Sequence, residues 1–245
     1  LRTSNRGDAR HSWAILALLV RFIREYWPQT RIVFRGDSHF SKPRLLAWCD
    51  RNQVDYIVGM ARNQRLEALA APAMDKVRTY YEAHGHKLAS TFRFRYKARS
   101  WHKPRWVVAR LEYGPQGPNP RFVISSRYDD GFKLYYEQYC ARGDMENRIK
   151  DQQLDLFAGR TSSTHWWTNQ WRLILSGFAY TLFERLRVHL KNTPFERMSA
   201  GTLRLKLIKV GAVIIRNTRR IRVLMSDSYP HKNDLSALVQ RLVPQ

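Results

Sequence analysis

The stretch Arg31-Ile-Val-Phe-Arg-Gly-Asp37 is a short apolar run that ends in a glycine and an aspartate. A helical segment follows at residues 43–52, with Pro43 at its start. A second apolar run, Asp55-Tyr-Ile-Val-Gly-Met60, then leads into a helical pattern at residues 64–84. This order of strand, helix, strand and helix, with buried-type strands, predicts a parallel α/β sheet.

The pattern changes outside this stretch. Pro72 predicts a break within residues 64–84, because a proline inside a helix removes a hydrogen bond. Residues 90–98 alternate apolar and basic side chains, which is typical of antiparallel strands. The remaining predicted elements are helices at 11–27, about 130–158, 164–191 and 234–242, three strands between 90 and 125, and a hairpin of strands 212–216 and 221–225.

The helix at residues 164–191 begins with three tryptophans, Trp166, Trp167 and Trp171. Apolar residues continue their pattern, so core packing is the favoured interpretation. A stacking platform for an unpaired base is the alternative. The residues that continue the pattern are Leu173, Leu175, Phe178, Leu182 and Leu186.

The composition indicates a folded protein with a polyanionic partner. The 245 residues include 43 Lys+Arg against 20 Asp+Glu, a formal net charge of +23. Such a charge makes nucleic acid the default partner and an anionic membrane surface a weaker alternative. No segment reaches the ~18 uncharged apolar residues of a membrane span. Cys49 and Cys140 are far apart, which favours a reduced cytoplasmic protein with buried thiols.

The charge is distributed unevenly along the chain. Residues 185–226 hold eleven Lys/Arg and one acid, whereas residues 129–155 hold seven of the twenty acids. We expect the basic segment, including Arg219, Arg220 and Arg222, to bind DNA phosphates without sequence preference.

The acid-rich region contains the stretch Tyr139-Cys-Ala-Arg-Gly-Asp-Met-Glu-Asn-Arg-Ile-Lys150. On an α-helix Tyr139, Arg142, Glu146 and Lys150 would share one face, at i, i+3, i+7 and i+11. A carboxylate among cations in so basic a chain suggests metal-assisted chemistry on a phosphate backbone. Arg142 and Tyr139 would then hold flanking phosphates.

Asp37 and Glu146 are the candidate metal-binding carboxylates. Asp37 follows a strand, where α/β sheets bind ligands, but it could instead cap the next turn through Ser38 and His39. Glu146 could instead form an ordinary ion pair with a neighbouring cation on its helix. Together they offer the oxygen donors that Mg²⁺ or Mn²⁺ takes in two-ion phosphoryl transfer.

Two motifs resemble those of DDE transposases of bacterial insertion sequences, specifically the insertion-sequence-1380 family. The first is Val33-Phe-Arg-Gly-Asp-Ser-His-Phe40, and the second follows the pattern Tyr-x2-Arg-x3-Glu-x6-Lys from Tyr139 onward. The similarity covers nearly all 245 residues. Gln153 stands where the pattern has its Lys, and Lys150, one turn earlier, is the candidate substitute.

The resemblance implies an RNase H-like catalytic core with an inserted antiparallel β segment and a helical C-terminal part. Residues 1–89 and 129–192 would form the core, 90–128 the β insertion and 193–245 the basic C-terminal segment. Asp37 matches the second catalytic Asp and Glu146 the catalytic Glu. The implied activity is cleavage and strand transfer of DNA with Mg²⁺, by a homodimer on transposon ends and target.

The first catalytic Asp of the family has no match in residues 1–10. We therefore expect an N-terminally truncated transposase that is inactive alone and is located with the nucleoid in the bacterial cytoplasm. Two other interpretations stay open: a catalytically dead DNA-binding remnant of a transposase, and a metal-dependent nuclease outside transposition.

Overall fold

The structure is a computed structural model that describes residues 11–242. The chain divides between Gly143 and Asp144 into an N-terminal unit and a C-terminal unit. No helix of the described residues has the length and apolar character that crossing a membrane requires.

A five-stranded mixed sheet forms the centre of the N-terminal unit, with the strand order β1-β2-β7-β4-β3. β1 and β2 are parallel, as the sequence predicts, and the other three pairings are antiparallel. The strands are β1 (Val33–Gly36), β2 (Asp55–Met60), β3 (Ser90–Tyr96), β4 (Arg105–Leu111) and β7 (Arg121–Ser125), with a small hairpin of β5 (Tyr113–Gly114) and β6 (Gly117–Pro118).

Three helices accompany this sheet: α1 (Ser12–Tyr26), α2 (Pro43–Arg51) and α3 (Gln64–His84). Their buried side chains and those of one sheet face form the main core, which includes Leu45, Leu46 and Leu66. A smaller core on Ile57 and Val123 includes the helical residues Leu134 and Tyr135. Burial on both faces explains why these strands read as continuous apolar runs.

The predicted helix near 130–158 is helical but not uniformly α-helical. Lys133–Tyr139 and Asp151–Asp155 are π-helical, and Cys140–Arg142 is a 3₁₀ turn. The longest regular α-helix in this range is α4 (Gly143–Lys150). The predicted α-helical spacing therefore holds only within α4. The preceding 3₁₀ turn, with three residues per turn, keeps Tyr139 and Arg142 on one side of the chain, where the Arg142 guanidinium lies over the Tyr139 ring.

The C-terminal unit is mostly helical. After α4 come α5 (Trp166–His189), the short α6 (Ala200–Leu203) with a π turn at Arg204–Ile208, the hairpin β8 (Ala212–Arg216) and β9 (Ile221–Met225), and α7 (Lys232–Leu242). A compact core holds α5, α6 and α7 together and contains Phe183, Leu190, Phe195, Leu203 and Leu238. Both strands of the hairpin have the predicted bounds.

The predicted break at Pro72 is wrong, since α3 runs without interruption through it. Asn63 caps its first turn, and Gly85 ends it with a left-handed φ of 71°. The buried residues Leu66, Ala70 and Val77 anchor α3 on both sides of the proline. Packing therefore outweighs the cost of a proline inside a helix, which is about 3 kcal/mol relative to alanine.

Two further sequence predictions are corrected. Core packing, the favoured interpretation of the α5 tryptophans, is wrong, since Trp166, Trp167 and Trp171 are all exposed. Phe178 and Leu182 are exposed as well, whereas Leu186 packs against the core of the C-terminal unit. Of the two thiols, Cys49 is fully buried as predicted, but Cys140 is exposed.

Candidate active site

Asp37 directly follows β1, at the carboxyl end of the parallel strand pair. Its Oδ1 accepts a hydrogen bond from the backbone N–H of His39 at 2.9 Å. The carboxylate thus caps a short 3₁₀ turn, Ser38–Phe40, and the turn-capping interpretation of Asp37 is confirmed. Capping fixes the direction of the carboxylate, and 39% of the side chain remains exposed to solvent.

Gly59 on β2 allows Tyr139 to reach Asp37. A Cβ at Gly59 would lie 2.5 Å from the Tyr139 hydroxyl and 3.0 Å from the backbone nitrogen of Ser38. The same Cβ would lie 3.3 Å from the Asp37 carbonyl carbon. Glycine inside a strand often marks such a close approach. The Tyr139 phenol and the backbone at Asp37 therefore occupy the space that the side chain of any residue other than glycine would need at position 59.

Tyr139 is half-buried against the smaller sheet core. Burial raises the pKa of its phenol, the charge and hydrogen bond of Arg142 oppose this change, and the Asp37 carboxylate adds to it. The Arg142 guanidinium lies 5.3 Å from the centre of the Tyr139 ring. The structure therefore brings Asp37, Tyr139 and Arg142 together in the N-terminal unit.

Arg35 on β1 connects the segment that carries Tyr139 to the sheet. Its guanidinium Nη1 donates to the backbone carbonyl of Gln138 at 2.9 Å, across 103 positions of sequence. The residue before Tyr139 is thus hydrogen-bonded to β1, the strand that directly precedes Asp37. Such backbone anchoring limits how far the phenol can move relative to the carboxylate.

Glu146 and Lys150 belong to the C-terminal unit, where both are exposed on α4 at i and i+4. A network of charges holds the helix that carries them. Arg148 pairs with Glu184 at 3.1 Å, and Glu184 also binds Arg187. Arg187, which is buried, binds Asp151 at 2.5 Å just after α4. This network fixes the rotation of α4 relative to α5 within the unit.

Lys150 also lines a polar cavity of about 930 Å³ in the C-terminal unit. Four carboxylates and four cations line it, so no single sign of charge dominates. Its lining includes Asp144, Arg148, Asp151, Asp155, Arg187, Glu196 and Arg197.

The basic residues Arg219, Arg220 and Arg222 all lie on the β8–β9 hairpin and are exposed. Asn217 Oδ1 accepts the backbone N–H groups of Arg219 and Arg220 at 3.0 and 2.8 Å, which orders the loop. These arginines belong to the C-terminal unit, whereas Asp37 belongs to the N-terminal unit.

Asp37 and Glu146 are the candidate ligands of a divalent ion. Asp37 and Glu146 offer carboxylate oxygens, the donors that Mg²⁺ and Mn²⁺ prefer, so their chemistry fits such an ion. Within residues 11–242 no group of three or more His, Cys, Asp or Glu side chains is arranged to hold a metal ion. Asp37 lies in the N-terminal unit and Glu146 in the C-terminal unit.

The family model of the transposase DDE domain, group 1, matches residues 1–245. The chain therefore belongs to this family of DDE transposases, which are DNA-cleaving enzymes of phosphoryl transfer, and DNA is the partner that the family implies. Comparison with curated proteins gives no significant match.

Sequence reasoning missed several residues that position these groups. Gly59 could have been found from its place inside an apolar strand, where glycine signals close approach. Arg35 and Arg187 gave no sequence signal, because each acts on a residue distant in sequence. The contact partners of an arginine depend on the fold, which a local pattern does not contain.

Proposed function

We propose that this protein is the transposase of an insertion sequence of the insertion-sequence-1380 type, with an RNase H-like core that cuts transposon ends and joins them to target DNA. The observation that carries the proposal is the grouping of Asp37, Tyr139 and Arg142 at the carboxyl end of parallel strands. Ligands of open α/β sheets bind at this edge. Residues 1–89 and 129–192 belong to the core in this proposal, 90–128 extend its sheet as an insertion, and 193–245 form a basic segment.

Asp37 and Glu146 would hold Mg²⁺ or Mn²⁺, which when bound supplies charge stabilisation at the reacting phosphate and lowers the pKa of attacking water. The turn-capping hydrogen bond keeps the Asp37 carboxylate oriented before substrate arrives. The Arg148–Glu184–Arg187 network does the same for the helix of Glu146. Precise placement of both carboxylates matters because small displacements weaken catalysis strongly.

Arg142, Tyr139 and Lys150 have the role of holding the DNA backbone. A guanidinium can bind phosphate oxygens with two parallel hydrogen bonds, and its stacking on the Tyr139 ring restricts its rotation. Lys150 contributes a single ammonium in place of the lysine that Gln153 replaces. Since a phosphate contact carries no base information, these residues set register rather than sequence preference.

The remaining parts of the proposal concern the assembly. The enzyme acts as a homodimer on DNA and is located with the nucleoid in the bacterial cytoplasm. The net charge of +23 supports association with DNA, which is a polyanion.

A cleavage assay on DNA that contains the transposon end tests this function, with the protein expressed from the complete open reading frame of its element. We expect Mg²⁺-dependent nicks at the end sequence and joined products with target DNA. Asp37→Asn and Glu146→Gln should each lower the rate by about 10³-fold or more while DNA affinity persists. Asp144→Asn is the matched control, because Asp144 is an exposed acid on the same helix as Glu146.

Three outcomes would contradict the proposal. Full cleavage by the Glu146→Gln protein would remove Glu146 from the reaction. Cleavage without joined products would indicate a nuclease outside transposition. Strong DNA binding with no cleavage under any divalent ion would indicate a non-catalytic DNA-binding protein, the alternative that the lack of a three-ligand cluster among residues 11–242 favours.

A further inference from the structure

The β8–β9 hairpin is a two-stranded sheet of its own in the C-terminal unit. All ten of its strand residues are exposed. Several are large and apolar: Ile214 and Ile221 expose 69% and 65% of their surface. A two-stranded ribbon is marginally stable in water, and apolar side chains on it favour a surface that covers them. The hairpin therefore has the character of a binding element.

The charge of the hairpin selects the class of partner. Arg216, Arg219, Arg220 and Arg222 surround its loop, and residues 197–226 hold eight Lys/Arg and no acid. A second copy of the hairpin would bring four more arginines to the same place, where like charges repel. A polyanion would instead be attracted, so charge complementarity favours nucleic acid over self-association.

The arrangement of side chains along the ribbon is also uneven. The cross-strand pairs Ile214–Val223 and Val213–Leu224 lie away from the loop, whereas Arg216 and Arg222 lie beside it. Beside the loop each arginine pairs with an isoleucine, Arg216 with Ile221 and Arg222 with Ile215, whereas the half away from the loop is entirely apolar. Cations suit phosphates, and branched apolar groups suit the methyl group of thymine on the groove floor.

We propose that the β8–β9 hairpin binds duplex DNA as a ribbon in the major groove. Two strands about 5 Å apart fit a groove about 12 Å wide. The arginines around the loop hold phosphates, and Ile214 and Val223 contact the base edges. This inference rests on the proposed function for its partner, DNA, but it does not depend on any catalytic residue.

The test compares three variants of the full chain by fluorescence anisotropy on a duplex, over a range of salt concentrations. Ile214→Ser/Val223→Ser removes the apolar pair, and Arg219→Ser/Arg220→Ser removes the loop charges. Val239→Ser is the matched control, because Val239 is an exposed valine on α7. Circular dichroism and thermal melting check that each variant is folded.

The apolar variant should bind DNA roughly tenfold more weakly with an unchanged salt slope, since it loses contacts but no charge. The loop variant should lower the slope of log K against log salt by about 0.9 for each lost phosphate contact. A duplex whose cytosines carry glucosyl groups, which fill the major groove, should bind wild type more weakly. The apolar variant should bind the glucosylated and the unmodified duplex with nearly equal affinity.

Wild-type affinity in the apolar variant would overturn the proposal, and so would unchanged binding to the glucosylated duplex. Sedimentation of the protein without DNA tests the alternative occupant of the hairpin, a second copy of this chain. If the apolar substitutions dissociate a dimer and leave DNA affinity unchanged, the hairpin is a self-association surface. Cleavage is measured separately. A protein that shows these binding effects but cuts no DNA would contradict the proposed function and support this inference.

Discussion

The central sheet of the N-terminal unit and the β8–β9 hairpin use the same kinds of residue for opposite purposes. β7 and β9 each have five residues and are rich in branched apolar side chains. Val123 on β7 is fully buried, whereas Val223 on β9 exposes 56% of its surface. Strand propensity is therefore shared, and helices packed on the sheet decide which strand becomes core. The difference teaches that an apolar strand can serve stability in one unit and binding in another.

Charge follows the same division. Arg105 in the sheet region is 2% exposed at its side chain and pairs with Asp50 at 2.6 Å. It also donates to the Tyr56 hydroxyl at 2.8 Å. The hairpin arginines face solvent. Buried charges of this kind require partners, whereas exposed ones remain available for a ligand.

The largest expected effect comes from Asp50→Asn, which leaves Arg105 buried without its ionic partner. Loss of one member of a buried pair lowers the free energy of unfolding by about 3–5 kcal/mol. Chemical denaturation of the full chain measures this change. The matched control is Asp75→Asn in the exposed Arg78–Asp75 pair, where less than about 1 kcal/mol is expected. Equal effects would show that burial does not distinguish these charges.

The second prediction concerns pH. Burial, with a contribution from Asp50, raises the pKa of the Cys49 thiol from 9.0 to about 12. Between these values the folded thiol keeps its proton while the unfolded one loses it, so stability falls as pH rises. At pH ~10.5 the loss from this group is on the order of 2 kcal/mol relative to pH ~8.

Denaturation of wild type and Cys49→Ala across this pH range measures the contribution. The variant should have a flatter profile above pH ~9, while its stability at neutral pH is lower because a buried side chain is shortened. Cys140→Ala is the control, since Cys140 is exposed. A profile of Cys49→Ala as steep as that of wild type would contradict the assignment.

A third prediction tests the contact over Gly59. Gly59→Ala places a methyl group against the Tyr139 hydroxyl and the Ser38 amide, which should lower stability by about 1–3 kcal/mol. Tyr139→Phe removes the hydroxyl and should recover part of that loss in the double variant. Thermal melting of both single variants and the double variant measures the coupling.

Gly143→Ala is the control for this pair, because a Cβ at Gly143 meets nothing within 4 Å. A helical glycine replaced by alanine should raise stability by about 0.5–1 kcal/mol. Additive effects of Gly59→Ala and Tyr139→Phe would indicate that the two side chains do not compete for space.

The smallest effect is expected at the hairpin. Val223→Thr should change stability by less than about 0.5 kcal/mol, because the residue is already in water. Val123→Thr, the matched change in β7, buries a hydroxyl and should lower stability by about 1–3 kcal/mol. Denaturation of both variants gives the comparison directly, and a large effect at Val223 would mean that the hairpin packs against protein.

Local patterns predicted much of the fold. Both hairpin strands have their predicted bounds, because apolar runs and turn residues are local signals. Pro72 misled the prediction of α3, since the packing that holds the helix is not visible in its own sequence. The exposure of Phe178 and Leu182 was missed for the same reason: an apolar pattern does not say whether a partner surface exists.

The candidate site was predictable in part. Asp37 could be located because a strand ending in glycine and aspartate is a local feature, and its capping bond follows from the same short stretch. The approach of Tyr139 to Asp37 over Gly59 joins three distant segments, so no spacing rule contains it. The assignment of Asp37 and Glu146 as metal ligands stays a prediction.

The π turns on either side of α4 affect which length changes the chain can tolerate. At the second turn the N–H of Leu156 binds the carbonyl of Asp151, one residue further back than in an α-helix. Deleting one residue there would convert the π turn to α-helix, and the segments before and after it would keep their rotation about the helix axis. Deleting one within Gly143–Lys150 would rotate one end of the helix by about 100° against the other. Alignment gaps among related sequences should therefore cluster at residues 133–139 and 151–155 and avoid the segment between Gly143 and Lys150.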